Sequence, residues 1–225
     1  MVRTGLALIC AALVAGCSAV PEERGRQTTA SSSKPLALPA PRSAEAGQCL
    51  SRLVQMGAHY TPLDDQYLGQ GCSLLGSVQL SSLASDSANL GLSNIGPVTC
   101  EVSQVFSGWA RYGVDRAARQ ILGSPVRTIE TMGSYSCRNV AGTGRRSGHA
   151  TGAAIDVSGF VLEDGRRITV KGGWFGGTEK EQQFLRTVQQ SACKRFDTVL
   201  GPDYNSAHND HLHVEGVIGT KAYCR

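Results

Sequence analysis

The sequence predicts an α+β domain: a central antiparallel sheet with helices packed outside it, stapled by disulfides. Three observations lead there. Val126–Met132 and His211–Glu215 alternate apolar and polar residues, as half-buried strands do. Within Thr99–Gln120 and Glu179–Cys193 the apolar positions recur near period 3.6, as on a helix that buries one face. Six cysteines (49, 72, 100, 137, 193 and 224) are spread through the chain with no CxxC pair, which suits a disulfide framework rather than a cysteine-based zinc cluster.

Residues 1–16 read as an export signal. Arg3 supplies a short basic start, and Leu6–Val14 is an apolar run too short to span a bilayer. The run Val14-Ala15-Gly16-Cys17 resembles the lipobox of bacterial lipoproteins, which implies a lipid on Cys17 and anchoring in a membrane. Ser18 follows, with no Asp there, so the resemblance points to the outer membrane and to the periplasmic side. The plainer alternative is an ordinary secretory signal with Cys17 incidental. Residues 17–46 are rich in Pro, Ser, Thr and Ala, lack apolar periodicity and predict a disordered tether. The folded domain is expected over 47–225. A net charge of +4 is far from the dense basic face that nucleic-acid binding requires, so no nucleic-acid partner is expected.

Taken in order, Cys49–Met56 predicts a short helix, and Gly69, Gly71 and Gly76 mark irregular chain. Val78–Asn94 is too polar and Ser-rich to assign. A helix within Thr99–Gln120, carrying Val105, Trp109, Val114, Ala117 and Ala118, ends at Gly123-Ser124-Pro125. The strand Val126–Met132 follows. Ile155–Leu162 and Arg167–Val170 form a hairpin around Asp164-Gly165. Glu179–Cys193 is a helix with Phe184, Leu185 and Val188 facing inward, followed by strands Phe196–Leu200 and His211–Glu215. Pairing the cysteines with their sequence neighbours gives 49–72, 100–137 and 193–224.

The chemistry sits in two stretches. Ser147–Asp156 reads SGHATGAAID and His208–His213 reads HNDHLH, and together they hold four of the five histidines, His149, His208, His211 and His213. Clustered His with a carboxylate at fixed spacing is how a metal site shows itself in sequence, and catalytic zinc takes three protein ligands. The candidates are His149, Asp156 and one of the C-terminal histidines. Small residues between His149 and Asp156 let two segments approach one ion. In HLHVE, alternation places His211, His213 and Glu215 on one face and sends Leu212 and Val214 to the core. Zinc would make water a usable nucleophile at neutral pH, with His211, His208 or Asp210 as the base and Arg138 as the donor to the oxyanion.

Ser147-x-His149-x-x-Gly152-x-Ala154-x-Asp156 is similar to the signature of the D-alanyl-D-alanine metallopeptidases, and His208-x-x-His211-x-His213 resembles the C-terminal motif of the penicillin-insensitive murein endopeptidase. Those families share a zinc superfamily with lysostaphin and the hedgehog N-terminal domain. From Cys49 to Cys224, including RYGVDRAARQ, SYSCRN and VLGPDYNSAHNDHLHVEG, the chain resembles the bacterial extensin-like C-terminal domain family. The resemblance implies a hedgehog/DD-peptidase-like fold, with zinc on His149, Asp156 and His213 and with His211 beside the metal. Some members place a Glu as general base three residues before the last ligand; here that position holds Asp210, one methylene shorter. Tyr135 and Arg138 match the peptidases' tyrosine-and-arginine segment loosely.

Each candidate has a structural alternative. The two His and the Asp could form a hydrogen-bonded polar network without metal, Arg138 could hold a loop through a salt bridge, and His208 and Asp210 could be turn residues. His59 reads as surface, and Trp174 as a packing residue. The expected function is a zinc-dependent peptidase acting on peptidoglycan, at amide bonds at or near D-alanine in its peptides. The rival is a non-catalytic zinc-containing module that binds the wall or a protein partner. A structural wall protein is disfavoured because the chain lacks a Pro-rich repeat block.

Overall fold

The structure, a computed structural model, describes residues 43–225. The signal, the lipobox with Cys17 and nearly all of the tether lie outside the described residues. Helix α1 (Ala44–Gln55) starts five residues ahead of the expected Cys49, because Ser43 caps it: its Oγ accepts from Ala46 N at 3.2 Å. Cys49 and Leu53, one turn apart, are its buried face. Strands β1 (His59–Pro62), β2 (Gln66–Gly69) and β3 (Cys72–Leu74) follow, and β2 and β3 form a small hairpin where irregular chain was expected. The unassigned Ser-rich stretch folds as β4 (Ser77–Ala84) and β5 (Asn89–Ser93), which bury Val78, Leu80, Leu83 and Leu90.

After β6 (Val98–Thr99) comes helix α2 (Cys100–Trp109), which runs on as two π-helical turns, Ala110–Asp115 and Ala118–Leu122. Gly123, at φ +75°, ends it in the left-handed conformation that a residue without Cβ adopts readily. The remaining elements are β7 (Val126–Gly133), β8 (Ala154–Leu162), β9 (Arg167–Thr169), α3 (Val170–Gly176), α4 (Glu179–Ala192), β10 (Thr198–Leu200), β11 (Leu212–Glu215) and β12 (Tyr223–Cys224). Helix α4 begins in a reciprocal cap between Thr178 and Glu181, which satisfies two otherwise orphaned amides.

The main sheet runs β1-β4-β5-β7-β8-β11-β10-β12, with β6 on β4 and β9 on β8. The fold is α+β, but the sheet is mixed rather than wholly antiparallel. β5 pairs parallel with β7, and β10 pairs parallel with β12. Parallel neighbours need a long return connection, and α2 with its π-helical turns supplies one between β5 and β7.

Helices α2 and α4 cover one face of the sheet. Trp109, Phe196, Phe160 and Phe184 are wholly buried; Trp109 meets Phe196 edge-on at 6.0 Å, and Phe160 meets Phe184 edge-on at 5.2 Å. Each such side chain contributes about 1.5–3 kcal/mol of burial. Trp174 is likewise fully buried, so it packs, with its Nε1 donating to Asp203 at 3.0 Å.

The disulfides are Cys49–Cys100, Cys72–Cys137 and Cys193–Cys224. The 193–224 pairing is the expected one; 49–72 and 100–137 are not formed. Neighbours in sequence are not neighbours here, because α1 packs on α2 across the intervening strands and so brings Cys49 to Cys100. Cys72 on β3 instead ties the hairpin to the loop after β7, next to Arg138.

Candidate metal centre

β8 and β11 are adjacent and antiparallel, with Asp156 directly opposite His213 and Ala154 opposite Glu215. Alternation does the sorting. Ile155, Val157, Leu212 and Val214 are fully buried in the core, so Asp156, His213 and Glu215 share the other face. His149 arrives on a 3₁₀ turn, Gly148–Thr151, capped by Ser147, whose Oγ accepts from His149 N at 3.4 Å. Two glycines make this approach possible. Gly152 closes the turn at φ +65°, and a Cβ on Gly148 would lie 2.7 Å from Glu215 Oε2.

The ligand atoms of His149, Asp156 and His213 all lie within 4.8 Å of one another. His149 Nε2 is 3.2 Å from Asp156 Oδ2 and 3.2 Å from His213 Nδ1, and His213 Nδ1 is 2.8 Å from Asp156 Oδ1. Four donors around a tetrahedral zinc at about 2.0–2.1 Å stand about 3.3 Å apart, so this triangle is close to the size a zinc ion needs.

The outer nitrogens of both rings are committed. His149 Nδ1 faces the Ser134 carbonyl at 3.0 Å, and a carbonyl can only accept, so that nitrogen carries the proton. His213 Nε2 faces Glu215 Oε2 at 3.0 Å, another acceptor. In neutral rings, His149 Nε2 and His213 Nδ1 therefore present lone pairs to each other, an arrangement that a proton or a cation must bridge. A carboxylate and a carbonyl behind the ligating rings is the outer-shell pattern of zinc sites. The donor set fits the metal.

The electrostatics of the metal-free chain agree. Burial opposes charge on His213, but the hydrogen bonds to Asp156 and Glu215 outweigh it and push its pKa up to about 9. Burial also opposes charge on Asp156, and the His149 and His213 hydrogen bonds overcome it, holding the carboxyl far below the usual carboxylate range. The His213 hydrogen bond lowers Glu215 too.

The other expected residues are placed around this triangle. His211 is buried, with Nε2 at 3.5 Å from Asp156 Oδ1 and Nδ1 at 2.9 Å from Asp210 Oδ1. Asp210 therefore sets the orientation of His211. His208 lies farther out, its ring 5.1 Å from that of His211 and its Nδ1 on Asn205 Oδ1 at 2.7 Å. Burial, and after it the neighbouring His211 and His213, push its pKa down to about 4. Arg138 is exposed and enters no ion pair among the described residues, although its charge reaches His208. His59 is exposed and belongs to no such cluster. Sequence reading gave Glu215 a face but no role, and it passed over Ser134, whose contribution is a backbone carbonyl with no side-chain signature.

A family model described as extensin-like protein C-terminus matches residues 47–225. The chain belongs to that family. The match runs through α1, both histidine-bearing segments and all three disulfides. No curated protein and no solved structure matches the chain.

Proposed function

We propose that the protein is a zinc-dependent peptidoglycan peptidase that hydrolyses amide bonds at or near D-alanine in wall peptides. In this reading the chain is exported and held through lipid on Cys17, at the periplasmic face of the outer membrane. The observation that carries the reading is the oriented donor triangle of His149, Asp156 and His213 with a separate His211–Asp210 pair at its edge. Bound zinc would supply Lewis-acid chemistry, polarising a carbonyl and acidifying water.

The chain's own groups do the rest. Asp210 holds the proton of His211 on Nδ1, which leaves Nε2 as the basic nitrogen of the neutral ring at the edge of the ligand triangle, 3.5 Å from Asp156 Oδ1. His211 accepts the proton of the attacking water and returns it to the leaving amine. His208, neutral at pH 7, adds no positive charge to oppose protonation of His211. Arg138, which has no carboxylate partner among the described residues, offers its guanidinium to the oxyanion.

The test is to incubate the zinc-loaded mature chain with crosslinked muropeptides and read the products by mass spectrometry, alongside a chelated sample and His213→Ala. Cleavage that disappears in both controls is expected, and the fragment masses name the bond. Intact substrate with one zinc still bound per chain overturns the peptidase and leaves a non-catalytic zinc module.

A further inference from the structure

The loop between β7 and the His149 turn is a two-stranded ribbon. Asn139 and Arg146 form an antiparallel bridge, with Ser147 N donating to Arg138 O at 3.1 Å and Val140 N to Arg145 O at 2.9 Å. Side chains alternate across such a ribbon. Asn139 and Arg146 take one face, where Arg146 Nη1 meets Asn139 Oδ1 at 2.8 Å and Nε reaches Gln70 O at 2.5 Å on the β2–β3 hairpin. Arg138, Val140, Arg145 and Ser147 take the other. Ser147 is buried at the His149 turn, so this second face is the one turned to the metal centre.

The ribbon is held rigidly. The Cys72–Cys137 disulfide fixes one end, Arg146 anchors its back, and Ser147 is built into the site. Arg145 is nonetheless exposed, and among the described residues it has no carboxylate within ion-pair distance. A guanidinium carried on a rigidly held ribbon, exposed and with no ion pair among the described residues, is suited to a carboxylate, which it can bind through two parallel N–H···O bonds.

We infer that Arg145 is a specificity-determining residue that binds a free carboxylate of the substrate next to the scissile amide. This rests on the peptidase reading. The carboxylate has two possible sources, the α-carboxylate of a terminal residue or an acidic side chain near the bond.

The test uses the full chain and three synthetic peptides that differ only in charge. One ends in D-alanyl-D-alanine with a free carboxylate. The second is its C-terminal amide, and the third is that amide with one glutamate placed before the D-alanines. Equilibrium binding is measured by fluorescence anisotropy on chelated chain, and KM and kcat on zinc-loaded chain. A free carboxylate should improve binding and KM by about tenfold to a hundredfold over the plain amide, and whichever acidic peptide keeps the advantage names the source. Arg145→Gln should erase that advantage and Arg145→Lys keep part of it. Arg127→Gln, at the far end of β7, should leave it intact.

Equal binding of all three peptides to the native chain overturns the proposal. So does an Arg145→Gln variant that weakens all peptides alike or lowers zinc affinity instead, since Arg145 would then be a counter-charge for Glu215. The two readings fail separately. Carboxylate-dependent binding with no cleavage removes the peptidase and keeps the Arg145 site, whereas cleavage of all three peptides alike does the reverse.

Discussion

Asp115 and Asp156 are both withdrawn from solvent, with side-chain exposures of 0% and 14%, yet their partners differ in kind. Asp115 Oδ1 accepts from Val126 N at 2.9 Å, and its Oδ2 pairs with Arg119 Nε at 2.9 Å. It ties the last turns of the α2 run to the first residue of β7. An amide and a guanidinium are permanent donors that cannot give up their protons in any working range. Among the described residues the side chains that meet Asp156 are imidazoles, those of His149, His211 and His213, each of which can exchange a proton for a metal ion. Burial of a charge therefore does not separate a structural carboxylate from a chemical one. The exchangeability of its partners does.

That contrast can be broken by substitution. Asp156→Asn should lower zinc affinity by more than about 100-fold, beyond the 10–100-fold that follows loss of a residue behind a ligand, as read by competition with a chelating dye. Asp115→Ala should do the opposite. It should cost about 3 kcal/mol of unfolding free energy in a denaturant titration, because it strands a buried amide and a partly buried guanidinium, and leave zinc stoichiometry unchanged. If both variants lose metal, or both lose only stability, the distinction fails.

A smaller effect sharpens the same point one shell out. Glu215→Gln should weaken zinc by about 10–100-fold, since Glu215 fixes the proton of His213 on Nε2. Gly148→Ala should act in the same direction by displacing the Glu215 carboxylate that lies against it.

How much of this was legible in the sequence follows from the kind of signal involved. HLHVE gave its two faces because period-two alternation beside a core leaves no other register, and Leu212 and Val214 are indeed fully buried. The β4–β5 pair was hidden because serines interrupt its apolar positions. Those serines are tolerated by bonding to neighbouring backbone, as where Ser81 Oγ donates to His59 O at 3.1 Å. The parallel β5–β7 pairing and the 49–100 and 72–137 disulfides depend on which elements meet after long connections, and no local pattern encodes that. At the site, the residue types and their spacing were readable. The tautomers were not, because they are set by a backbone carbonyl at Ser134 and by the β8–β11 register that lays Glu215 opposite Ala154.

A further predicted effect is in pH. His213 in the metal-free chain is raised from 6.5 to about 9, so its contribution to stability is fully present below pH 6.5 and is lost as pH rises through 9. Glu215 is lowered, so its contribution is present above its ordinary value of 4.5 and is lost as pH falls below that. Zinc must displace the His213 proton, so binding at pH 7 should release about one proton from that ring, measurable by calorimetry in buffers of different ionisation enthalpy. Binding should tighten with pH up to about 9 and then level off. A pH-independent affinity would show that His213 Nδ1 is not the ligand.

The central claim is that His149, Asp156 and His213 hold a metal ion rather than a proton alone. Its most direct test is to strip the full chain of metal, titrate it with zinc, and record X-ray absorption at the zinc edge. The account predicts one zinc per chain, with nitrogen and oxygen neighbours at about 2.0–2.1 Å and no sulfur, lost in Asp156→Asn. Zinc uptake by the native chain no greater than by Asp156→Asn would contradict it, and the cluster would then be a hydrogen-bonded polar network.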